Sequence, residues 1–302
     1  MKSLDPRSPR ALAEYALFRI VRRALSILDD AEAAEFGAWL GRTVSRLARR
    51  RHELLISNLA QGLAGLGADR RDEIARACWE HFGRVAIDYL RFEPLSAAEL
   101  RARITITGED HFQSARLRGR GVFLLSAHLG SWEVGALVAG MLGEPISLIV
   151  RPLDNPLLEA ELLRFRSRYG NRVIAKRDAA REMLRAMRHG ETVAILVDQK
   201  VQPEEAVVVP FFGRPARTTP ALARLAARTD AAVVPVFCRP DDRRGHGFYQ
   251  LEFGKPIIVS ELPIAEREVE PLTERYMSIT ENAIRARPEL WLWMHDRWRA
   301  AK

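Results

Sequence analysis

After Arg103 the hydrophobic rhythm of the chain changes, and this change constrains the fold more than any other feature. Short β-branched or apolar runs follow one another: ITIT (104–107), VFLLS (122–126), ISLIV (146–150), RVIA (172–175), TVAILV (192–197), VVVP (207–210) and AVVPVF (232–237). Amphipathic stretches such as LLEAELLRFRSRYG and DAAREMLRAMRHG lie between them. Buried-type strands separated by helical patterns predict an α/β fold, a mixed central sheet covered by helices on both faces. A second strand pair, GFYQLEF and KPIIV, precedes a final helix near 265–286. Up to about residue 100 the spacing is helical instead: 31–50, 52–65 and 68–90 carry apolar residues on one side, as with Ile74, Cys78, Phe82, Val85 and Tyr89. No repeat or low-complexity linker interrupts the 302 residues. The expected organisation is an N-terminal helical layer (1–100) on an α/β core (101–302), integrated into one domain.

Charge narrows the partners. Lys+Arg 47 against Asp+Glu 39 gives a net charge of +8, which favours an anionic partner: nucleic acid, acidic lipid, a phosphorylated substrate or an acidic protein. Nucleic acid is disfavoured, because no recognition motif is present and the arginines are dispersed through helices. There is no G-x-x-x-x-G-K-[ST] loop, no G-x-G-x-x-G after a strand, no H-E-x-x-H and no G-x-S-x-G elbow. Cys78 and Cys238 sit far apart in apolar stretches, which argues against a disulfide framework or zinc site and predicts a reducing compartment. No metal or cofactor is expected.

The first ten residues are polar, and no cleavable signal follows them. Residues 11–28 are too interrupted by Glu14, Arg19, Arg22 and Arg23 to form a clean membrane span. On a helical wheel, Leu17, Phe18, Ile20, Val21, Leu25, Ile27 and Leu28 spread over one broad face and the arginines gather opposite. That pattern fits a helix lying in a membrane interface; packing on the core is the alternative.

The most informative stretch is GVFLLSAHLGSWEVGALVAGML, residues 121–142. A strand runs into His128, Leu129-Gly130-Ser131 make a turn, and Ser131 is placed to N-cap a helix beginning with Trp132 and Glu133. Five positions would put His128 and Glu133 on different faces of one helix, but across a strand-to-helix turn they can meet. A carboxylate on one ring nitrogen fixes the tautomer and leaves the other free to take a proton from a hydroxyl. Such a dyad suits acyl transfer from a thioester, with backbone donors at the helix start facing an oxyanion. The bland alternative is a histidine at a strand end beside a first-turn glutamate.

SAHLGSWE, with its H-x-x-x-x-E arrangement, resembles the signature of the late lipid A acyltransferases, the lauroyl/myristoyl transferase family. Further blocks look like the family's in the same order: IVRPLDNPLLEAELLRFRSRYG (149–170), LVDQK (196–200), VVVPFFGRPARTTPALARLA (207–226), VVPVFCR (233–239) and RPELWLWMHDRWR (287–299). The likeness covers residues 40–300. Glycerol-phosphate acyltransferases share a related motif, but theirs ends in Asp and is joined by an EGTR-like block that is missing here.

The resemblance implies a glycerol-phosphate-acyltransferase-like fold, with His128 as base and Glu133 as its charge partner. It places Arg151, Asn155 and Arg168 in an anion-holding block and Asp198 and Gln199 at the C-terminal edge of the sheet, all as substrate-binding residues. Arg151 also fits a cap or surface ion pair, and Asp198 a turn N-cap. Trp291, Trp293 and Trp298 read as packing or interface anchors, and His295 as structural. The family implies acyl carrier protein or another acyl-thioester donor, a phosphorylated glycolipid acceptor of the lipid A pathway and an anionic membrane surface. It locates the protein on the cytoplasmic face of the inner membrane, peripheral or weakly anchored because residues 11–28 are less hydrophobic than the family's usual anchor. The alternatives are acylation of another glycolipid, an aminolipid or a lysophospholipid, and a non-catalytic membrane-surface scaffold.

Overall fold

The computed structural model describes residues 4–142, 145–150, 152–175 and 179–298. Five helices precede the first strand: α1 (Pro9–Leu25), α2 (Asp30–Leu47), α3 (Arg49–Gly62), α4 (Ala68–Phe92) and α5 (Ala97–Ala102). Their starts are written locally. Ser8 caps α1 ahead of a first-turn proline, and Asp29 with Glu32 and Ser96 with Glu99 form reciprocal capping boxes on α2 and α5. α2 and α4 touch backbone to backbone. A Cβ at Gly41 would collide with Trp79 O and one at Gly83 with Gly37 O, so both positions require glycine.

Among the described residues nine strands follow: β1 (Ile104–Thr107), β2 (Val122–Ser126), β3 (Ile146–Val150), β4 (Arg172–Ala175), β5 (Thr192–Leu196), β6 (Val207–Phe211), β7 (Arg214–Thr218), β8 (Ala232–Pro240) and β9 (Tyr249–Phe253). Seven form one mixed sheet in the order β1-β9-β8-β2-β5-β3-β4. The run from β8 to β4 is parallel, whereas β9 is antiparallel to β8 and parallel to β1. Between and after the strands come α6 (Glu109–Leu117), α7 (Trp132–Met141), α8 (Pro156–Arg166), α9 (Ala179–Arg188), α10 (Ala221–Thr229) and α11 (Val269–Ala286).

Strand alternation sends the residues of β2 into two different core clusters. Phe123 and Leu125 join one cluster with Leu55, Trp79, Met183, Leu222 and Tyr276. Val122 and Leu124 join another with Phe92, Phe112, Leu137 and Phe165. Both faces of β2 are therefore buried, as the uninterrupted apolar run VFLL requires.

Two expectations need correction, and one strand went unread. KPIIV is not a strand: Ile257 makes a single bridge to Val233, and Pro256, lacking an N–H, cannot extend it. β7 was hidden in RPART; it pairs antiparallel with β6 through Phe212 and Gly213, both at positive φ (54° and 71°), which suits a tight two-residue hairpin. The arginines of α1 do not share one solvent face. Arg22 turns inward to Glu93 (3.2 Å) and Glu161 (3.6 Å), while Leu12, Leu17 and Ile20 are exposed.

Candidate active site

β2 and β5 are parallel neighbours, so both deliver their following residues to one C-terminal edge, where ligand sites of open α/β sheets form. β2 delivers His128 and β5 delivers Asp198 and Gln199. The turn bearing His128 is fastened from several sides. His128 N donates to Asp198 Oδ2 (2.9 Å), Gly130 N to Leu290 O (2.9 Å) and Ser131 N to Cys238 O (2.9 Å), while His128 O accepts from Leu292 N (3.1 Å). Gly130 has a φ of +65° and lies so close to Cys238 O that a Cβ would collide with it. Ser131 occupies the N-cap position of α7 without a side-chain cap bond.

The imidazole is held as tightly as the backbone. His128 Nδ1 lies 2.9 Å from Asp198 Oδ1, and Trp291 Nε1 donates to Asp198 Oδ2 at 2.8 Å. The buried carboxylate thus accepts from His128 N, His128 Nδ1 and Trp291 Nε1. At the ring's far side, Gln199 Nε2 is 3.1 Å from His128 Nε2, and the Trp132 ring stands edge-on with centroids 5.0 Å apart.

Electrostatics follow from these contacts. Burial alone would lower the His128 pKa, but the charge and hydrogen bond of Asp198, with a further contribution from Glu133, outweigh it and raise it above its ordinary value. Burial alone would raise the Asp198 pKa; His128 and the Trp291 N–H outweigh it and hold the carboxyl below its usual range. The pair therefore stabilises an imidazolium while leaving the neutral ring with its proton on Nδ1.

The structure departs from the expected dyad. Both Glu133 oxygens accept from Arg166, Oε2 from Nε at 2.9 Å and Oε1 from Nη2 at 2.5 Å, a bidentate clamp between the start of α7 and the end of α8. The carboxylate bonded to the imidazole is that of Asp198, from the adjacent strand. Glu133 acts on His128 through its charge, without a bond.

Two other expected substrate ligands are engaged elsewhere. Asn155 is buried and caps α8: its Oδ1 accepts from Leu157 N (3.0 Å), and its Nδ2 donates to Ala11 O (3.1 Å) and Glu14 Oε2 (2.9 Å). Arg168 closes the end of α4, donating to Phe92 O (3.3 Å), Glu93 O (2.6 Å) and Leu95 O. Arg151 lies outside the described residues.

Two residues at the site went unrecognised in the sequence. Arg166 stands 33 positions from Glu133, a separation with no local periodicity to expose it. Trp291 left a usable signal, because a buried indole N–H needs an acceptor.

A cavity of about 750 Å³ opens at His128. His128, Glu133, Arg166, Gln199 and Lys200 line it, and an apolar part lies between α7, through Ala136 and Ala139, and the sheet, through Leu124, Ile146, Leu148 and Ala194. From Val150 to Ile146 the wall descends four strand residues, about 13 Å at roughly 3.3 Å per residue. The size suits a small-molecule or lipid-chain site. Cys238 also lines the cavity, but burial pushes its thiol pKa up, which keeps it protonated and poorly nucleophilic. Among the described residues no cluster of histidine, cysteine and carboxylates could hold a metal ion.

Comparison with known proteins fits this geometry. The lipid A biosynthesis acyltransferase of Haemophilus influenzae is 23% identical over 267 residues, covering 88% of this chain and 80% of that protein. The lipid A biosynthesis lauroyltransferase of Escherichia coli K12 is 27% identical over 266 residues, covering 87% and 84%. A phosphatidylinositol mannoside acyltransferase of Mycobacterium tuberculosis is 25% identical over 253 residues, covering 82% and 77%. Residues 6–300 match the family described as bacterial lipid A biosynthesis acyltransferase. A buried carboxylate–imidazole pair at the mouth of an apolar cavity, in a chain matched over nearly its whole length, makes this protein an acyltransferase and a member of the bacterial lipid A biosynthesis acyltransferase family.

Proposed function

We propose that the protein moves a fatty acyl chain from an acyl thioester, with acyl carrier protein as donor, to a hydroxyl of a lipid A precursor at the cytoplasmic face of the inner membrane. The observation that carries this reading is His128 itself. Its Nδ1 is bonded to Asp198, and its Nε2 faces a cavity with a polar mouth and an apolar interior. Nε2 takes the proton of the acceptor hydroxyl as the oxygen attacks the thioester carbon. The C–S bond then breaks, and the proton passes to the departing thiolate. Thiolates leave readily, so no covalent enzyme intermediate is needed, in keeping with the protonated Cys238. The acyl chain lies in the slot between α7 and the sheet.

The mycobacterial relatives act, by their names, on a phosphatidylinositol mannoside, which favours another glycolipid as the second candidate acceptor. Purified protein is offered a mixture of acyl thioesters of graded length with either acceptor, and products are read by mass spectrometry. The expected result is ester formation on the lipid A precursor. Transfer to neither acceptor sinks the reading, and transfer to the mannoside alone moves it to the second acceptor. In the same assay Ala139→Phe fills part of the slot and shifts the product distribution to shorter chains; the added bulk costs about 1–3 kcal/mol of stability.

For the membrane, α1 offers Leu12, Leu17 and Ile20 to solvent, and the turn after it Ile27. α1 is fastened to α8 by Tyr15 OH, which donates to Glu161 Oε1 at 2.8 Å, and by the Asn155 bond to Ala11 O. Among the described residues no helix is long and apolar enough to cross a membrane. Together with the net positive charge, these features support interfacial binding. Anionic vesicles at low salt should retain the wild type and lose most of a Leu17→Asp/Ile20→Asp variant. Equal binding of the two proteins, or of neither, removes α1 from the account.

A further inference from the structure

The nitrogen that must take the substrate proton is already occupied. With Asp198 on Nδ1, the neutral ring of His128 presents a lone pair at Nε2, and only a hydrogen-bond donor can satisfy it. The Gln199 carboxamide nitrogen supplies that N–H from 3.1 Å. Gln199 is half-buried and lines the same cavity. The backbone beyond it is anchored: Lys200 N donates to His295 Nε2 at 3.0 Å, and burial pushes the His295 pKa down, which keeps that nitrogen an acceptor. The Gln199 side chain can therefore leave Nε2 by rotation about its own bonds while the turn stays in place.

A second observation concerns the negative charge that develops on the thioester oxygen. In the turn beside His128, the N–H groups of His128, Gly130 and Ser131 are spent on Asp198 Oδ2, Leu290 O and Cys238 O. The group already seated on Nε2 is at hand for an oxyanion forming beside that nitrogen, and the Gln199 carboxamide carries two N–H bonds.

We propose that Gln199 is a displaceable cap on the base that becomes the oxyanion donor once the substrate hydroxyl has replaced it on Nε2. This rests on the acyl-transfer reading given above. As the C–O bond forms and the hydroxyl proton moves to Nε2, the carbonyl π pair collects on oxygen, where the Gln199 N–H receives it. When the oxyanion collapses, the C–S bond breaks and the Nε2 proton goes to the thiolate sulfur. The neutral ring is restored and the carboxamide returns to its lone pair.

The test uses wild type, Gln199→Ala and Gln199→Glu, with thioester and acceptor varied separately and folding followed by circular dichroism. Gln199→Ala is expected to lower kcat by about 10²-fold, the scale of one lost oxyanion donor, with acceptor KM unchanged or lower because the competitor for Nε2 is gone. Gln199→Glu sets a carboxylate against a ring that already faces Asp198 from the end of β5, Glu133 with its partner Arg166 from α7 and α8, and His295 from the C-terminal segment. It is expected to hold His128 protonated and move the acid limb of kcat/KM upward by about one pH unit or more. Above that limb its plateau kcat is expected to fall as in Gln199→Ala, because a carboxylate cannot donate to the oxyanion, a loss that a merely structural role would not produce. A folded Gln199→Ala protein with wild-type kcat, or one altered only in KM, overturns the proposal. If the alanine variant does not fold, the near-isosteric Gln199→Glu decides the matter, and a plateau kcat equal to that of the wild type overturns it. Absence of transfer by the wild type would instead refute the underlying acyl-transfer reading.

Discussion

Replacing His128 by alanine is expected to lower acyl-transfer turnover by about 10³–10⁴-fold while the protein stays folded. The loss follows from removing a group whose lone pair faces the cavity mouth with its opposite nitrogen bonded to a buried carboxylate, and it lies at the upper end of what a positioned base contributes. The fold should survive, because Asp198 keeps its bonds from the residue-128 backbone N–H and from Trp291 Nε1 after the ring is gone. Steady-state rates of the purified variant, with its Tm as the control for folding, check this. A folded His128→Ala protein that turns over at the wild-type rate removes His128 from the chemistry.

Asp198→Asn is expected to cost nearly as much by a different route. The carboxylate accepts from His128 N, His128 Nδ1 and Trp291 Nε1, whereas an asparagine offers one acceptor oxygen and an NH2 group that faces a donor. The imidazole then gains by moving its proton from Nδ1 to Nε2, the nitrogen that must be free. A loss of about 10³–10⁴-fold in kcat is expected, the scale seen when a catalytic histidine is left in the wrong tautomer.

The pH dependence has a definite sign. A general base must be neutral, so the rate rises with pH through the His128 pKa, which Asp198 raises. Asp198→Asn moves that acid limb to lower pH on a much reduced plateau. Stability behaves accordingly. The raised His128 pKa contributes stability that is complete below the ordinary value of 6.5 and lost as pH rises through the folded value. The lowered Asp198 pKa contributes stability present above the ordinary 3.8 and lost as pH falls through its folded value. The stability gap between wild type and Asp198→Asn is therefore widest between those two ordinary values, which thermal melts across pH would show.

The sheet was legible in the sequence wherever a strand is buried on both faces, because continuous apolar runs such as VFLLS and ISLIV need no partner to be recognised. Legibility ended where pairing depends on the backbone. KPIIV has strand-like composition but a proline at the position where a ladder would continue, and β7 begins after a Phe-Gly turn whose positive φ at Phe212 has no composition signal. At the site, His128, Asp198 and Gln199 were visible as residues following strands. That Asp198 and not Glu133 would meet the imidazole depends on β5 lying next to β2, and strand order is not written in local spacing. Asn155 and Arg168 illustrate the converse. They sit in a recognisable block, yet their hydrogen-bonding capacity goes to helix ends, which must be satisfied somewhere.

Nitrogen-15 NMR of the His128 ring through a pH titration tests the pairing with Asp198 most directly. The account predicts a neutral ring with its proton on Nδ1 and a bare Nε2, titrating above the ordinary value of 6.5. A neutral ring protonated on Nε2, or a midpoint at or below that value, would contradict it.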